Sequence, residues 1–164
     1  MAGWTKYIAN EVVEAINTAR IAESFSFNDF TVARKYFAAY RTEEITAKAA
    51  CTIIGMAYDE EKRTRNHSIH VVQPIQVVFQ AAVDKPSDVD KCDVLADTVE
   101  EIREVLHDVF IDADKAITWD GTAAMRDEAG HLIDYQAIRE ESRFEIFLHG
   151  SYSYVKVRGE QPPA

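Results

Sequence analysis

Apolar residues along the chain follow two kinds of spacing. Trp4, Ile8, Val12, Ala15 and Ala19 recur at steps of four and three, which lines them up on one side of a helix over about residues 4–20. Leu95, Val99, Ile102, Leu106 and Val109 step in the same way and predict a second, longer helix. Asp93, Asp97, Glu100, Glu101, Glu104 and Asp108 fall on its opposite side. Ser87, directly after Pro86, is the expected N-cap, with Asp88 and Asp90 in a first turn whose positive end favours acids.

Elsewhere the period is two. "FTVARKYFAAY" reads as a first strand, "AKAACTIIGMAY" as a second and "HSIHVVQPIQVVFQAAV" as a third. Pro74 interrupts the third, and because proline has no N–H for a ladder, this strand is expected to lie at an edge or to bend there. "SFSFNDF" ends the first helix, and "RTEEITA" is a connector with room for one helical turn. The charged run "DEEKRTRNHS", residues 59–68, carries no periodicity to bury and reads as a mobile loop. From Ile111 to about Asp134 the pattern fades into a loop or small hairpin, with turn signals at Asp120-Gly121 and Ala129-Gly130. A helical lead-in from Tyr135 then enters the last strand. There Phe144, Ile146, Leu148, Gly150, Tyr152 and Tyr154 share one face, while Arg143, Glu145, Phe147, His149, Ser151 and Ser153 share the other. The order predicts an α+β fold: an antiparallel or mixed sheet of about four long strands with two helices packed on one face. One domain would span residues 1–158, with 159–164 as a flexible tail.

Composition narrows the chemistry. At 164 residues, 47% of them hydrophobic, the chain suffices for one domain with a core. A net charge of −10 argues against holding nucleic acid by neutralising its phosphates. Cys51 and Cys92 read as buried free thiols of a reducing compartment, and no continuous apolar run suggests a signal peptide or membrane span. His67 and His70 would point to opposite faces of a strand and cannot share one ion. His107, Asp108, Asp112 and Asp114 read as a solvated acidic helix end. A calcium loop begun at Asp112 would place Ala116, Ile117 and Ala123 where oxygen ligands and a glycine are required. There is no Gly-x-Ser-x-Gly turn and no glycine-rich phosphate cradle, and the acids of the second helix are solvated. The chain is therefore read as a non-enzyme with no catalytic residue, metal or cofactor. The one local basic concentration, Lys62, Arg63, Arg65 and His67, is a candidate partner-contact loop.

Taken together, these segments resemble the small tail-terminator-like proteins of long-tailed phages, a head–tail connector or minor tail protein family. The resemblance lies in the order of features: the N-terminal helix, "TVARKYFAAY", "ITAKAACTIIGMA", the charged loop, "IHVVQPIQVVFQ", the helix "VDKCDVLADTVEEIREVL" and the closing "LIDYQAIREESRFEIFLHGSYSYVKV". "TWDGTAAMRDEAGHLI" departs from it. The resemblance implies a structural virion protein at the head–tail interface, assembled in the host cytoplasm. It would form a ring, expected to be a hexamer, that caps the tail tube protein and joins it to the head-side connector or stopper protein. DNA would pass through the channel without sequence-specific binding, and no membrane would be involved. The polar face of the last strand, with Glu145, His149, Ser151 and Ser153, would then be open for assembly. An acidic channel would repel phosphate and let DNA slide. The alternatives are a neighbouring neck or head-completion protein (stopper or adaptor), or a small cellular ligand-binding α+β module.

Overall fold

The computed structural model describes residues 2–39, 42–45, 48–56, 59–62, 68–85, 87–108, 111, 117–124, 133 and 135–163. The elements are α1 (Ala2–Ile21), β1 (Thr31–Arg34), a single 3-10 turn (Thr42–Glu44), β2 (Ala49–Gly55), β3 (Asp59–Lys62), β4 (Ser68–Ala82), α2 (Val89–Asp108), β5 (Thr118–Ala124), α3 (Tyr135–Glu141) and β6 (Arg143–Val157). The two fifteen-residue strands, β4 and β6, are antiparallel and pair along their whole length, from Ser68↔Val157 to Ala82↔Arg143. The sheet order is β1-β2-β4-β6-β5, with β3 also on β4. Only β1 and β2 run parallel among the described pairs. The fold is thus a mixed α+β sheet with four strands of seven residues or more and two of four.

Register decides which side chains share a face. Cys51, Phe79 and Ile146 are opposite one another, as are Ile53, Val77 and Leu148. These rows join Trp4, Ile8, Val12 and Ile16 of α1 and Leu95, Val99, Ile102 and Leu106 of α2 in one buried cluster. Both long helices therefore cover the same face, as the two stripes predict. Four of the five expected α2 positions are buried; Val109 lies outside the described residues. In α1 the stripe drifts: Ile16 is fully buried and Ala15 only half so. The helix caps differently from expectation at α2, where Asp88, not Ser87, accepts the N–H of Lys91 through Oδ1 at 3.1 Å. Asp88 is the residue directly preceding the helix, so its carboxylate reaches the free donors and favours the positive end.

The link from α1 to β1 is tied to α2. Ser26 donates its N–H (2.6 Å) and Oγ (2.7 Å) to the Glu101 carboxylate, and the Phe27 N–H donates to Thr98 Oγ1 at 3.0 Å. This holds Phe25 and Phe30 over the core, with Phe30 edge-on to Phe79 at 5.4 Å.

Two expectations are corrected here and a third is narrowed. The first strand is only four residues long; Tyr36 to Ala39 leave the sheet. Parallel neighbours require a crossover, and the chain between β1 and β2 uses this stretch to begin it. Residues 59–62, expected in a mobile loop, form β3, because β4 extends beyond the end of β2 and leaves ladder positions Ile69–Val72 for a returning hairpin arm. Pro74, expected near an edge or a bend, sits in a strand paired with β6 on its other side through Pro74↔Ser151, so the edge is local and confined to the β2 side. The Pro74 carbonyl accepts the Met56 N–H at 3.0 Å, so its backbone faces the β2 side. The missing N–H falls in the gap between Gly55↔Ile75 of β2 and Asp59↔Val72 of β3. The buried Gln73 amide fills that gap, donating to the carbonyls of Met56 (2.7 Å) and Pro74 (3.1 Å).

Gln73 also accepts the Thr5 hydroxyl at 2.8 Å, which pulls α1 onto the end of β2. A Cβ on Gly55 would come within 2.5 Å of Thr5 Cγ2. Gly55→Ala is expected to cost roughly 1–3 kcal/mol by overpacking. Thr5→Ser removes the obstructing methyl and keeps the hydroxyl, so the double variant should regain most of that loss in urea denaturation; no recovery would mean that the approach of helix and strand is not what excludes a side chain.

Residues 159–163, expected to trail freely, fold back on the domain. Gly159 turns with φ 83°, and the Glu160 carbonyl accepts the Trp4 indole N–H at 3.0 Å. Trp4 itself stacks on Tyr154 at 5.0 Å.

Candidate assembly surface

The sheet face away from α1 and α2 is built from the alternate residues of the same strands. Ala50, Gln80 and Glu145 lie in one row, Thr52, Val78 and Phe147 in the next, then Ile54, Gln76 and His149. Continuing along β6, Ser151 and Ser153 lie opposite Pro74 and Val72. The expected grouping of Glu145, His149, Ser151 and Ser153 on one face is therefore present, but the four differ in access. His149, Ser151 and Ser153 are half-buried, whereas Glu145 is 7% exposed.

Glu145 is held in a polar cluster. Arg143 Nε lies 3.2 Å from its Oε2, and Arg143 Nη1 lies 2.6 Å from Glu141 Oε2. Gln80 donates through Nε2 to Glu145 Oε2 and to the Ala39 carbonyl, the latter at 2.8 Å. The backbone of the crossover is thus fastened to the centre of the sheet by one amide. Thr52, Val78 and Gln80 are all buried on this face, which carries neither long helix.

Beside this cluster lies a cleft of about 390 Å³, lined by Tyr36, Phe37, Ile54, Met56, Gln76 and Phe147 together with the polar trio. Tyr36 and Phe37 are 83% and 63% exposed. These aromatics escaped the pattern reading because they continue the alternation of the first strand. The signal present in the sequence was two large aromatics followed by Ala-Ala directly after Arg-Lys, which suits a chain leaving a sheet.

Neither a protein-family model nor any curated protein matches this chain.

Of the candidate basic loop, Lys62 is placed in β3 opposite Ile69. Arg63, Arg65 and His67 lie outside the described residues, as do Asp112 and Asp114 of the acidic cluster. His70 is half-buried in β4. The described residues contain no group of three or more His, Cys, Asp or Glu side chains arranged to hold a metal ion. Cys51 is buried, and burial pushes its thiol up to about 12, which keeps it protonated and unreactive. Cys92 is half-buried, its thiol raised first by burial and then by Asp88 and Asp93. No described helix is long and apolar enough to cross a membrane.

Burial lowers the His149 imidazole below its ordinary range. The Nε2 atoms of Gln76 and His149 are 3.0 Å apart. An amide nitrogen only donates, so this ring nitrogen must be the unprotonated acceptor. The folded state thus binds this proton less readily than the unfolded chain does. Stability is lost as pH falls below about 6.5, the unperturbed value, until the folded protein takes up the proton as well. Denaturation midpoints should fall between about pH 7.5 and about pH 5.5, and His149→Gln should flatten that slope. An unchanged slope in the variant would remove His149 from the pH response.

Proposed function

We propose that this chain is a structural ring subunit of a long-tailed phage, a tail terminator that caps the tail tube and meets the head-side connector. The observation that carries this reading is the one-sided layering. Both long helices cover one face of the sheet, and the other face offers exposed aromatics, half-buried polar residues and an open cleft. Such a face suits contact with another protein, because aromatic side chains bury large areas with few torsions to freeze. The sheet order supports the same reading, since among the described residues β1 and β5 each pair with one strand only, and edge strands serve as joints when another chain covers them. A hexamer, the tail tube protein and the connector or stopper protein are the partners this function requires. DNA would pass through the ring, where the exposed acids of α2 would oppose adhesion.

Particles produced without this chain should show filled heads and separate tails in electron micrographs. Antibody labelling of detached parts then separates the neighbouring possibilities: a terminator stays on tails, and a stopper or adaptor stays on heads. Intact virions assembled in its absence would sink the proposal. A second reading, a small ligand-binding module, is favoured by the cleft, whose volume lies within the range of small-molecule sites. It predicts saturable binding of a small molecule by the isolated chain, abolished by filling the cleft with Ile54→Trp.

A further inference from the structure

Five of the eight large apolar side chains exposed among the described residues fall in two groups, apart from Ile21, Val155 and Val157. Tyr36 (83%), Phe37 (63%) and Met56 (39%) group at the ends of β1 and β2, while Val89 (65%) and Val94 (39%) group on the first turns of α2. The two groups carry opposite charge. Between α1 and the end of β1 lies a second cleft, of about 240 Å³, lined by Thr5, Lys6, Arg34, Lys35, Tyr36 and Gly55, with no carboxylate in its wall. Arg34 donates to Asn10 Oδ1 at 3.1 Å and lies 5.5 Å from the centre of the Tyr36 ring. Among the described residues no ion pair involves Lys6, Arg34 or Lys35. Three neighbouring cations with no ion-pair partner among the described residues stand out on a protein of net charge −10. Val89 and Val94, by contrast, stand among Asp88, Asp90, Asp93 and Asp97, all exposed, which outnumber the half-buried Lys91 in the same turns.

We infer that the Lys6–Arg34–Lys35 cleft, with Tyr36 at its rim, receives the first turns of α2 from a second copy of this chain. The inference rests on the ring reading and assigns its subunit contact. Charge complementarity names the occupant: the basic aromatic patch and the acidic valine patch match each other in both charge and apolar content. One copy cannot fill its own cleft. The cleft includes Gly55, the last residue of β2, whereas α2 begins shortly after Ala82, whose N–H bonds to Lys48 just before the first residue of β2. The two patches therefore sit toward opposite ends of the strands. A contact between unlike patches leaves each copy with one of each still free, so it repeats from subunit to subunit and ends only when the rotation closes.

The test uses two charge-reversed forms of the full chain. Lys6→Glu/Lys35→Glu turns the first patch acidic like the second, and Asp93→Lys/Asp97→Lys, together with Lys91, outweighs Asp88 and Asp90 and turns the second basic like the first. All four positions are exposed, and circular dichroism verifies that each form folds. In sedimentation equilibrium at low salt the wild type should associate, each reversed form should run as a monomer, and an equimolar mixture of the two should associate again. Added salt should weaken association in the wild type and in the mixture, because exposed charges are screened. A wild type that assembles while both reversed forms assemble equally well would overturn this contact and leave the ring reading standing. A mixture that stays monomeric would also overturn it. Failure of the ring reading is seen separately, as virions that assemble without the chain.

Discussion

Phe79→Ala is expected to destabilise the domain by about 3–5 kcal/mol, the range for emptying an aromatic site in a packed core. Phe79 is 1% exposed in the middle of β4. It meets the Phe30 edge at 5.4 Å and the Phe144 edge at 6.4 Å, and its register partners are Cys51 and Ile146. The cavity cannot collapse easily. Its walls belong to a central strand paired on both sides, and Phe30 is positioned by the link fastened to α2. The melting temperature should drop by roughly 10 °C, with the denaturant slope unchanged because the same surface is exposed on unfolding. Phe37→Ala is the matched control. At 63% exposure its loss should shift stability by no more than about 0.5 kcal/mol. Equal effects at the two positions would mean that the core is not organised around β4.

The second large effect concerns the polar cluster under the crossover. The side chains of Arg143 and Glu145 are 10% and 9% exposed. Arg143→Leu leaves the Glu145 carboxylate buried with Gln80 as its remaining partner, and a loss of about 3 kcal/mol is expected from such a stranded charge. Arg143→Leu/Glu145→Leu removes both charges at once. Replacing a buried pair by apolar side chains is often close to neutral, so the double variant should be more stable than Arg143→Leu alone. The coupling from a complete double-mutant cycle should exceed about 1 kcal/mol. Additive losses would show that the two residues contribute through separate contacts.

The parts of the fold legible in the sequence are those in which one face alone decides the pattern. The stripe of α2 was readable because its outward side is solvated and acidic. The alternation of β6 was readable because its two faces meet different surroundings, two helices and a half-open surface. Where context decides, the pattern misleads. Asp120-Gly121 carries a turn signal, yet it falls between Trp119 and Thr122, where β5 shifts register against β6. A bulge absorbs the pair and the strand continues. β3 has no apolar alternation at all, and it exists because β4 offers an unoccupied edge. Pro74 looked like an edge marker because its missing donor was known, while the gap between two separate neighbours was not. The candidate surface was half legible: β6 announced which residues share a face, but nothing local indicated that residues 36–39 would cross that face and enclose Glu145.

The pairing of β4 with β6 has a kinetic side. Its fifteen matched residues come from segments separated by α2 and everything up to α3, so the interval must be looped out before the first rung forms. Closure over a long stretch is an entropic barrier, which favours slow folding with the α1–β2 half and α2 taking shape beforehand. The penalty grows only with the logarithm of loop length. Residues inserted between α2 and β5 should therefore slow acquisition of the native state only slightly, whereas a shift of one residue in either long strand would turn every side chain on it to the wrong side.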